Sequence, residues 1–198
     1  MLDLSNIHLS KIESLSKLKN LKSLFILNNY INQIDGISEL ESLEVLDLSN
    51  NEISKIEGLS NLKTLEYLTI SGNEIKKIEG LEELENLKSL SLTQNSITKI
   101  EGISKLKNLQ LLNLSYNMIE SIEGLSELNN LFELNLASNL ISEIKGLSEL
   151  YYLRSLNISR NKIFKMEGLS LLWNLNDLDL STNLITKIEG FSGLKSLY

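Results

Sequence analysis

The feature of this sequence that most limits its fold is an asparagine that returns every 22 residues. It occupies the same place in eight consecutive units: Asn29, Asn51, Asn73, Asn95, Asn117, Asn139, Asn161 and Asn183. A glycine keeps the same step seven residues further on: Gly36, Gly58, Gly80, Gly102, Gly124, Gly146, Gly168 and Gly190. No insertion or deletion interrupts either column, so the chain is an array of one short unit. Residues 1–198 are therefore interpreted as a single repeat domain of about nine units.

Each unit combines two apolar periodicities. One unit reads Leu43-x-x-Leu46-x-Leu48-x-x-Asn51-x-Ile53-x-x-Ile56-x-Gly58-Leu59-x-x-Leu62. Leu46 and Leu48 alternate with the polar residues Asp47 and Ser49, as in a short strand with one buried face. From Leu59 the apolar step becomes three, which is typical of a 3₁₀ helix. The pattern predicts a strand, a turn and a short helical return.

Such a unit is too small to enclose a core, and stacking solves this problem. The chain holds 45 leucines and 22 isoleucines but one valine and one alanine, as expected when one small core is copied many times. Stacked units pair their strands in parallel, about 4.8 Å apart. The asparagine amide is then predicted to bond to backbone groups that the turn leaves unpaired. The glycine is predicted to need a positive φ or a close approach of another backbone.

The repeat resembles the leucine-rich repeats, in the 22-residue class typified by the nuclear regulatory subunit of type 1 serine/threonine protein phosphatase. The stretches Ile56-Glu57-Gly58-Leu59 and Ile100-Glu101-Gly102-Ile103 carry this resemblance. It implies an α/β solenoid, a right-handed superhelix with a concave parallel β-sheet and short 3₁₀ or helical returns on the convex side. Internalin-type repeats share the length but usually carry a proline in the return, and this chain has none.

The two ends depart from the repeat. Ile7 and Ser14 stand where the first asparagine and glycine are expected, so the first unit is degenerate and predicted to act as a weak cap. The last unit is incomplete: Gly190 begins a return, Leu197 takes the position of Leu175, and the chain stops at Tyr198 without a polar cap. Repeat arrays normally need polar caps. We therefore expect either a fragment of a longer chain or end-to-end self-association through the uncapped C-terminal end.

Charge and composition argue against several classes of function. The formal net charge is −7 and the pI is about 4.9, so nucleic acid is a poor partner. No apolar run reaches the length of roughly 18 residues that a membrane span needs. The chain has no cysteine, a single histidine (His8), no phosphate loop and no nucleophile elbow. We expect no enzymatic activity, no cofactor, no metal site and no membrane partner.

One acidic column resembles a cation site but favours another interpretation. Its members are Asp35, Glu57, Glu79, Glu101, Glu123, Glu167 and Glu189. Lys145 interrupts it, and lysines such as Lys55 and Lys77 stand two residues before the acids. The pattern favours a solvated ladder of mixed charge over divalent-ion binding.

The outward positions of the strands are the candidate binding surface, because the core requires nothing there. Read from unit to unit, these outward positions form columns rich in serine and asparagine. Large apolar residues interrupt the columns in the N-terminal half and the middle, and charged residues interrupt them toward the C-terminus. The predicted concave-face residues are Phe25, Leu27, Val45, Asp47, Tyr67, Leu111, Tyr116, Glu133, Arg160, Asp177 and Asp179. The resemblance implies a similar use of this face, because the phosphatase regulatory subunit binds its phosphatase through aromatic and acidic residues on its concave face. The alternative for Phe25 and Leu27 is that they shield the degenerate first unit.

A second anomaly falls on the predicted convex side. Tyr151 and Trp173 share a column in successive units, and Leu171 replaces a residue that is otherwise polar. These three residues indicate either a lateral docking surface or local packing along the return.

Together these features predict a non-catalytic module that binds a protein on its concave face. As a cytoplasmic or nuclear protein it could be a phosphatase regulator or a cytoskeletal adaptor. The alternative is a secreted or cell-surface, internalin-like adhesion repeat whose signal peptide has been removed.

Overall fold

Within the residues that the structure describes, the chain folds into one parallel β-sheet of nine short strands. The computed structural model describes residues 1–13 and 15–197, so Ser14 and Tyr198, on which the expectations for the two ends partly rested, lie outside the described residues. The strands are β1 (Leu2–Asp3), β2 (Ser23–Phe25), β3 (Val45–Asp47), β4 (Tyr67–Thr69), β5 (Ser89–Ser91), β6 (Leu111–Asn113), β7 (Glu133–Asn135), β8 (Ser155–Asn157) and β9 (Asp177–Asp179). They lie side by side in chain order.

Strand pairing keeps the 22-residue step throughout. Leu24 pairs with Leu46, and Leu46 pairs with Leu68. The middle residue of each strand from β2 to β8 is buried, and its two neighbours point to the other side of the sheet. The predicted parallel solenoid is therefore confirmed.

The core lies directly behind the sheet and is one continuous cluster. Within a unit the strand contributes Leu46 and Leu48, and the rest of the unit contributes Ile53, Ile56 and Leu59, all at most 1% exposed. The cluster runs from Ile12 to Leu175. Because each unit is covered by the next, stability comes from neighbouring units rather than from any single one.

The predicted helical returns, and with them the α/β class, are wrong. The described residues contain no helix. The Leu62 N–H donates to the Leu59 carbonyl at 2.9 Å, and the Leu65 N–H donates to the Leu62 carbonyl at 3.0 Å. A 3₁₀ helix needs such bonds from consecutive residues, whereas here they are three residues apart and form linked turns. Other return groups bond between units instead: the Thr64 hydroxyl donates to the Glu41 carbonyl at 2.8 Å.

The repeated asparagine acts as predicted and also joins adjacent units. Asn117 is buried, and its amide nitrogen donates to the carbonyls of Leu114, in its own unit, and Leu92, in the preceding one. Its amide oxygen accepts from the Ile97 N–H at 3.0 Å. The other seven asparagines make the same two kinds of bond to the preceding unit, so the side chain replaces backbone partners that the turn cannot supply.

The repeated glycine satisfies both predicted requirements. Gly58 has φ of 73°, and a Cβ built on it lies 2.4 Å from the carbonyl oxygen of Ile34 in the preceding unit. A side chain there would be strained twice, once by its backbone and once by the contact.

The end units differ in how well they are covered. Leu2, Leu4 and Leu9 of the first unit pack against the core, while Ile7 is exposed and its N–H donates to Asn29. At the other end Leu184 is exposed and the Ile188 side chain is 86% exposed.

We expect Asn117→Ala to lower the free energy of unfolding by about 2–4 kcal/mol, because it leaves buried donors and acceptors without partners. Asn108→Ala is the matched control: its exposed amide makes one bond, to the Glu85 carbonyl, so about 1 kcal/mol or less is expected. Urea denaturation followed by circular dichroism measures both. Equal losses would contradict the special role of the buried column.

Candidate protein-binding surface

The first and third residues of the strands point outward. We call these positions, together with the positions two and three residues after each strand that carry Leu27, Tyr116 and Arg160, the sheet face. Its N-terminal part gathers Phe25, Val45 and Tyr67, on strands β2, β3 and β4. The register places Val45 beside Tyr67 and Phe25 beside Asp47. Tyr67 is 44% exposed, and Phe25 and Val45 are half-buried. Four of the predicted residues therefore form one group.

A second group lies further along the sheet. Leu111 on β6 pairs with Glu133 on β7, and both line a shallow cavity of about 190 Å³ together with Ser89 and Ser91. Strand β5 separates Leu111 from Tyr67, which corresponds to roughly 10 Å at the usual strand spacing. The predicted apolar residues thus form two patches rather than one.

The predicted shielding role of Phe25 and Leu27 has structural support but excludes no other role. Phe25 pairs with Asp3 in β1, and the Leu27 N–H donates to the Ser5 hydroxyl at 3.1 Å. Both side chains are half-buried, so each also presents surface to solvent.

The predicted aspartates Asp47 and Asp179 have a local task in the turn. An Asp47 side-chain oxygen accepts from the Ser49 N–H, and an Asp179 oxygen accepts from the Ser181 N–H, each at 2.9 Å. Asn113 and Asn157 make the same contact in their own units. Bonds from the Ser181 hydroxyl and N–H hold the pKa of Asp179 below its ordinary value. In Asp47 both bonds from Ser49 go to the same oxygen, so the other oxygen remains for a partner.

The charged side chains in the C-terminal part of the sheet face make few polar contacts. Asp177 accepts a hydrogen bond from the Ser155 hydroxyl at 3.2 Å. Arg160 follows β8 and, within residues 1–13 and 15–197, makes no ion pair. Its charge further lowers the pKa of Asp179. An acidic strand therefore lies beside an available guanidinium.

A column that follows the strands has a positive φ in every full unit. It consists of Asn28, Asn50, Gly72, Gln94, Tyr116, Ser138, Arg160 and Thr182, with φ between 53° and 64°. Asparagine and glycine adopt this conformation readily, but bulky and β-branched residues do so at a cost. Tyr116, 56% exposed, and Arg160 therefore occupy positions that the fold would fill better with asparagine.

The three predicted convex residues are exposed, and the side-chain hydrogen bonds of Tyr151 and Trp173 are local. The Tyr151 hydroxyl donates to Glu149 at 2.9 Å, and the Trp173 ring nitrogen donates to the Ser170 carbonyl at 3.2 Å. Trp173 is 53% exposed and Leu171 is 40% exposed. Local contacts and an exposed surface coexist here, so docking and local packing both stay predictions.

A second polar ladder was missed in the sequence. Side chains in the returns donate to carbonyls 23 residues earlier: Thr64, Asn86, Asn108, Asn130, Asn174 and Ser196. The 22-residue step could have revealed this column, but its mixture of residue types hides it. It ties neighbouring units together on the side opposite the buried asparagines.

The charged ladder is present at the surface. Lys55 pairs with Glu57 at 2.7 Å, and Lys77 pairs with Glu79 at 3.6 Å. Where Lys145 interrupts the acidic column it pairs with Glu143, so the order of charges is inverted in that unit. Across residues 1–13 and 15–197, no group of side chains is arranged to hold a metal ion, and no helix could cross a membrane.

Known proteins share this architecture. A family model described as leucine-rich repeats (2 copies) matches residues 41–83 and 85–127. The chain is similar to the crystal structure of an internalin (inlF) from Listeria monocytogenes, with 32% identity, a TM-score of 0.90, and coverage of 98% of this chain and 58% of that one. Internalin C2 from the same organism shows 32% identity and a TM-score of 0.83 over 88% of this chain and 77% of that one.

More distant similarity extends to the TLR13–ssRNA13 complex, with 27% identity, a TM-score of 0.72, and coverage of 95% of this chain and 34% of that one. No curated protein matches the chain. The chain belongs to the leucine-rich repeat family. Within that family it is similar to internalins, and it spans 58% of the length of inlF.

We expect Tyr116→Asn and Thr182→Asn each to raise the free energy of unfolding by about 1 kcal/mol, because asparagine accepts the positive φ with less strain. Thr98→Asn is the control, since Thr98 is exposed and lacks a positive φ. Urea denaturation measures the three variants. A gain at Thr98 equal to the other two would rule out the conformational explanation.

Proposed function

We propose that this leucine-rich repeat domain is a non-catalytic module that binds a protein on its sheet face. The observation that carries the proposal is the exposure of Tyr67 and Tyr116. The other members of the Tyr116 column are all small or polar, and most members of the Tyr67 column are, with Val45 and Leu111 as the exceptions in strands β2 to β9. The buried core is complete without them, so folding does not explain their presence. Exposed aromatic side chains on a rigid surface are frequent anchors of protein interfaces.

Backbone strain supports the same surface. Tyr116 and Arg160 hold positive φ values where asparagine would be less strained. A position that keeps a bulky residue at the expense of stability is a candidate for a functional contact. The mixture of apolar patches with Glu133, Asp177 and Asp179 suits a partner surface that has both apolar and basic groups.

Two versions of the function differ in compartment. Similarity to internalins, which are secreted or surface proteins, supports an adhesion repeat outside the cell. The Ile-Glu-Gly-Leu motif and the aromatic and acidic composition of the face support an intracellular version, as a phosphatase regulator or a cytoskeletal adaptor. We favour the adhesion version, because its support extends over nearly the whole chain. In both versions we propose no cofactor and neither nucleic acid nor membrane as a partner.

The test is capture of partners from separated cytosolic and cell-surface fractions of the source organism. A variant that combines Phe25→Ser, Tyr67→Ser and Leu111→Ser restores the small polar residues that the same columns carry at Ser23, Ser89 and Ser91. We expect it to lose at least tenfold of the captured protein, because the apolar anchors are gone. The fraction that supplies the partner decides between the two versions.

Two further variants keep this result interpretable. Tyr116→Asn is expected to weaken capture while raising stability, so its effect cannot come from unfolding. Trp173→Ala changes the convex side, and unchanged capture by this variant would argue against convex docking. Full capture by the triple sheet-face variant would overturn the proposal.

We also propose that the apolar side chains at the C-terminal end, including Leu184 and Ile188, bind a second copy of the chain. Sedimentation velocity at increasing concentration should show reversible association, and Ile188→Lys should weaken it because a charge would enter an apolar contact. A monomer over the whole concentration range would end this proposal.

A further inference from the structure

A candidate binding cleft lies outside the sheet face, at the edge where the returns enter strands β7 and β8. It has a volume of about 310 Å³ and is lined by Asn130, Phe132, Tyr152 and Arg154. Phe132 immediately precedes β7, and Arg154 immediately precedes β8. The other units of the chain serve as an internal reference for what the fold requires at these positions.

Phe132 breaks a polar column. Its counterparts are Lys22, Glu44, Glu66, Lys88, Gln110, Arg154 and Asn176. In this column charges pair between adjacent units: Lys22 with Glu44 at 2.6 Å, and Lys88 with Glu66 at 2.8 Å. Arg154 has Phe132 and Asn176 as its column neighbours, and neither can neutralise it. The substitution therefore introduces an apolar surface and leaves a cation unpaired.

Tyr152 breaks the second polar ladder. Its neighbours in the column, Asn130 and Asn174, donate to the carbonyls of Lys107 and Tyr151 at 2.8 and 2.6 Å. The corresponding acceptor is the Asn129 carbonyl. In the described part of the chain, the Tyr152 side chain does not donate to it. This unit gives up a link between repeats and gains a largely exposed aromatic ring. Folding alone favours asparagine here.

Arg154 is chemically available. It is one of two arginines in the chain, and the remaining basic side chains, apart from His8, are lysines. Its guanidinium makes no hydrogen bond or ion pair to any described residue, including the nearby acids Glu133 and Asp177. The rings of Phe132 and Tyr152 do not stack on each other or on the guanidinium. Two aromatic side chains and a fork of free donors thus border open volume.

We propose that this cleft binds an acidic protein segment, with Arg154 holding a carboxylate while Phe132 and Tyr152 pack against an adjacent apolar or aromatic side chain. Charge complementarity selects this occupant: the lining contains a cation and no acid, within a chain of net charge −7. A guanidinium matches a carboxylate in bidentate geometry and packs well against apolar groups. Asn130 supplies a polar group at the rim. The cleft is separate from the sheet face. The proposal for the cleft does not depend on the function proposed for the sheet face.

The experiment selects ligands from a phage-displayed heptapeptide library on the purified 198-residue chain. Enriched sequences are expected to carry Asp or Glu next to an aromatic or apolar residue. Synthetic peptides of these sequences are then measured by fluorescence anisotropy. We expect at least tenfold weaker binding to Arg154→Gln and to Tyr152→Asn, and a similar loss when the acidic residue of the peptide becomes its amide.

The variants are chosen so that unfolding cannot imitate the result. Tyr152→Asn restores the residue of the ladder, and Phe132→Gln restores the residue found at Gln110, so both should be at least as stable as the parent chain. Phe164→Thr is the matched control: it removes another exposed aromatic ring and matches Thr98 and Thr186 in its column. The triple sheet-face variant should bind the peptides normally, which separates this site from the sheet face.

Three outcomes would overturn the proposal. The first is no enrichment over an unrelated protein, and the second is enrichment of peptides that lack an acidic residue. The third is binding to Tyr152→Asn or Arg154→Gln within twofold of the parent chain.

Discussion

The repeated asparagine amide is the interaction on which the rest of the solenoid depends. At the end of each strand the chain turns away from its neighbours, and backbone groups lose their partners in a region that water cannot reach. The side chain of Asn117 supplies both a donor and an acceptor, and it does so across the boundary between two units. Without that link, the pairing register of strands only three residues long would be poorly determined. With it, each unit fixes the register of the next.

This constraint explains why strands, turns and core could be predicted from the sequence. The asparagine side chain must bond in one geometry, so it keeps the same place in every unit. Its column in the sequence therefore identifies the turn. Gly58 is equally informative, because both its φ and the closeness of the Ile34 carbonyl exclude a side chain. The returns could not be predicted in the same way. Leu59, Leu62 and Leu65 follow the spacing of a 3₁₀ helix, but the same spacing arises from linked turns, and the choice depends on hydrogen bonds that sequence periodicity does not specify.

The candidate surfaces were only partly predictable, for a related reason. The outward positions of a strand can be deduced from alternation, which is how Phe25, Val45 and Tyr67 were identified. Whether an outward residue also serves its own turn cannot be deduced, and Asp47 proved to bond to the following backbone. The cleft at Phe132 and Tyr152 was missed because its residues belong to different columns. The 22-residue step places Phe132 beside Arg154, but only the folded chain shows that Tyr152 and Asn130 line the same cleft.

An array of near-identical units separates folding from recognition more clearly than an ordinary globular domain does. Every column has a preferred residue set by the fold, so a departure has a measurable cost and needs a cause. Ile53 and Leu59 show no departures of chemical type across the full units, since the core tolerates none. Tyr116 and Tyr152 depart at exposed positions, one by accepting backbone strain and the other by giving up an inter-unit hydrogen bond. Both changes work against stability in the folded chain, and the two proposed binding surfaces rest on this cost.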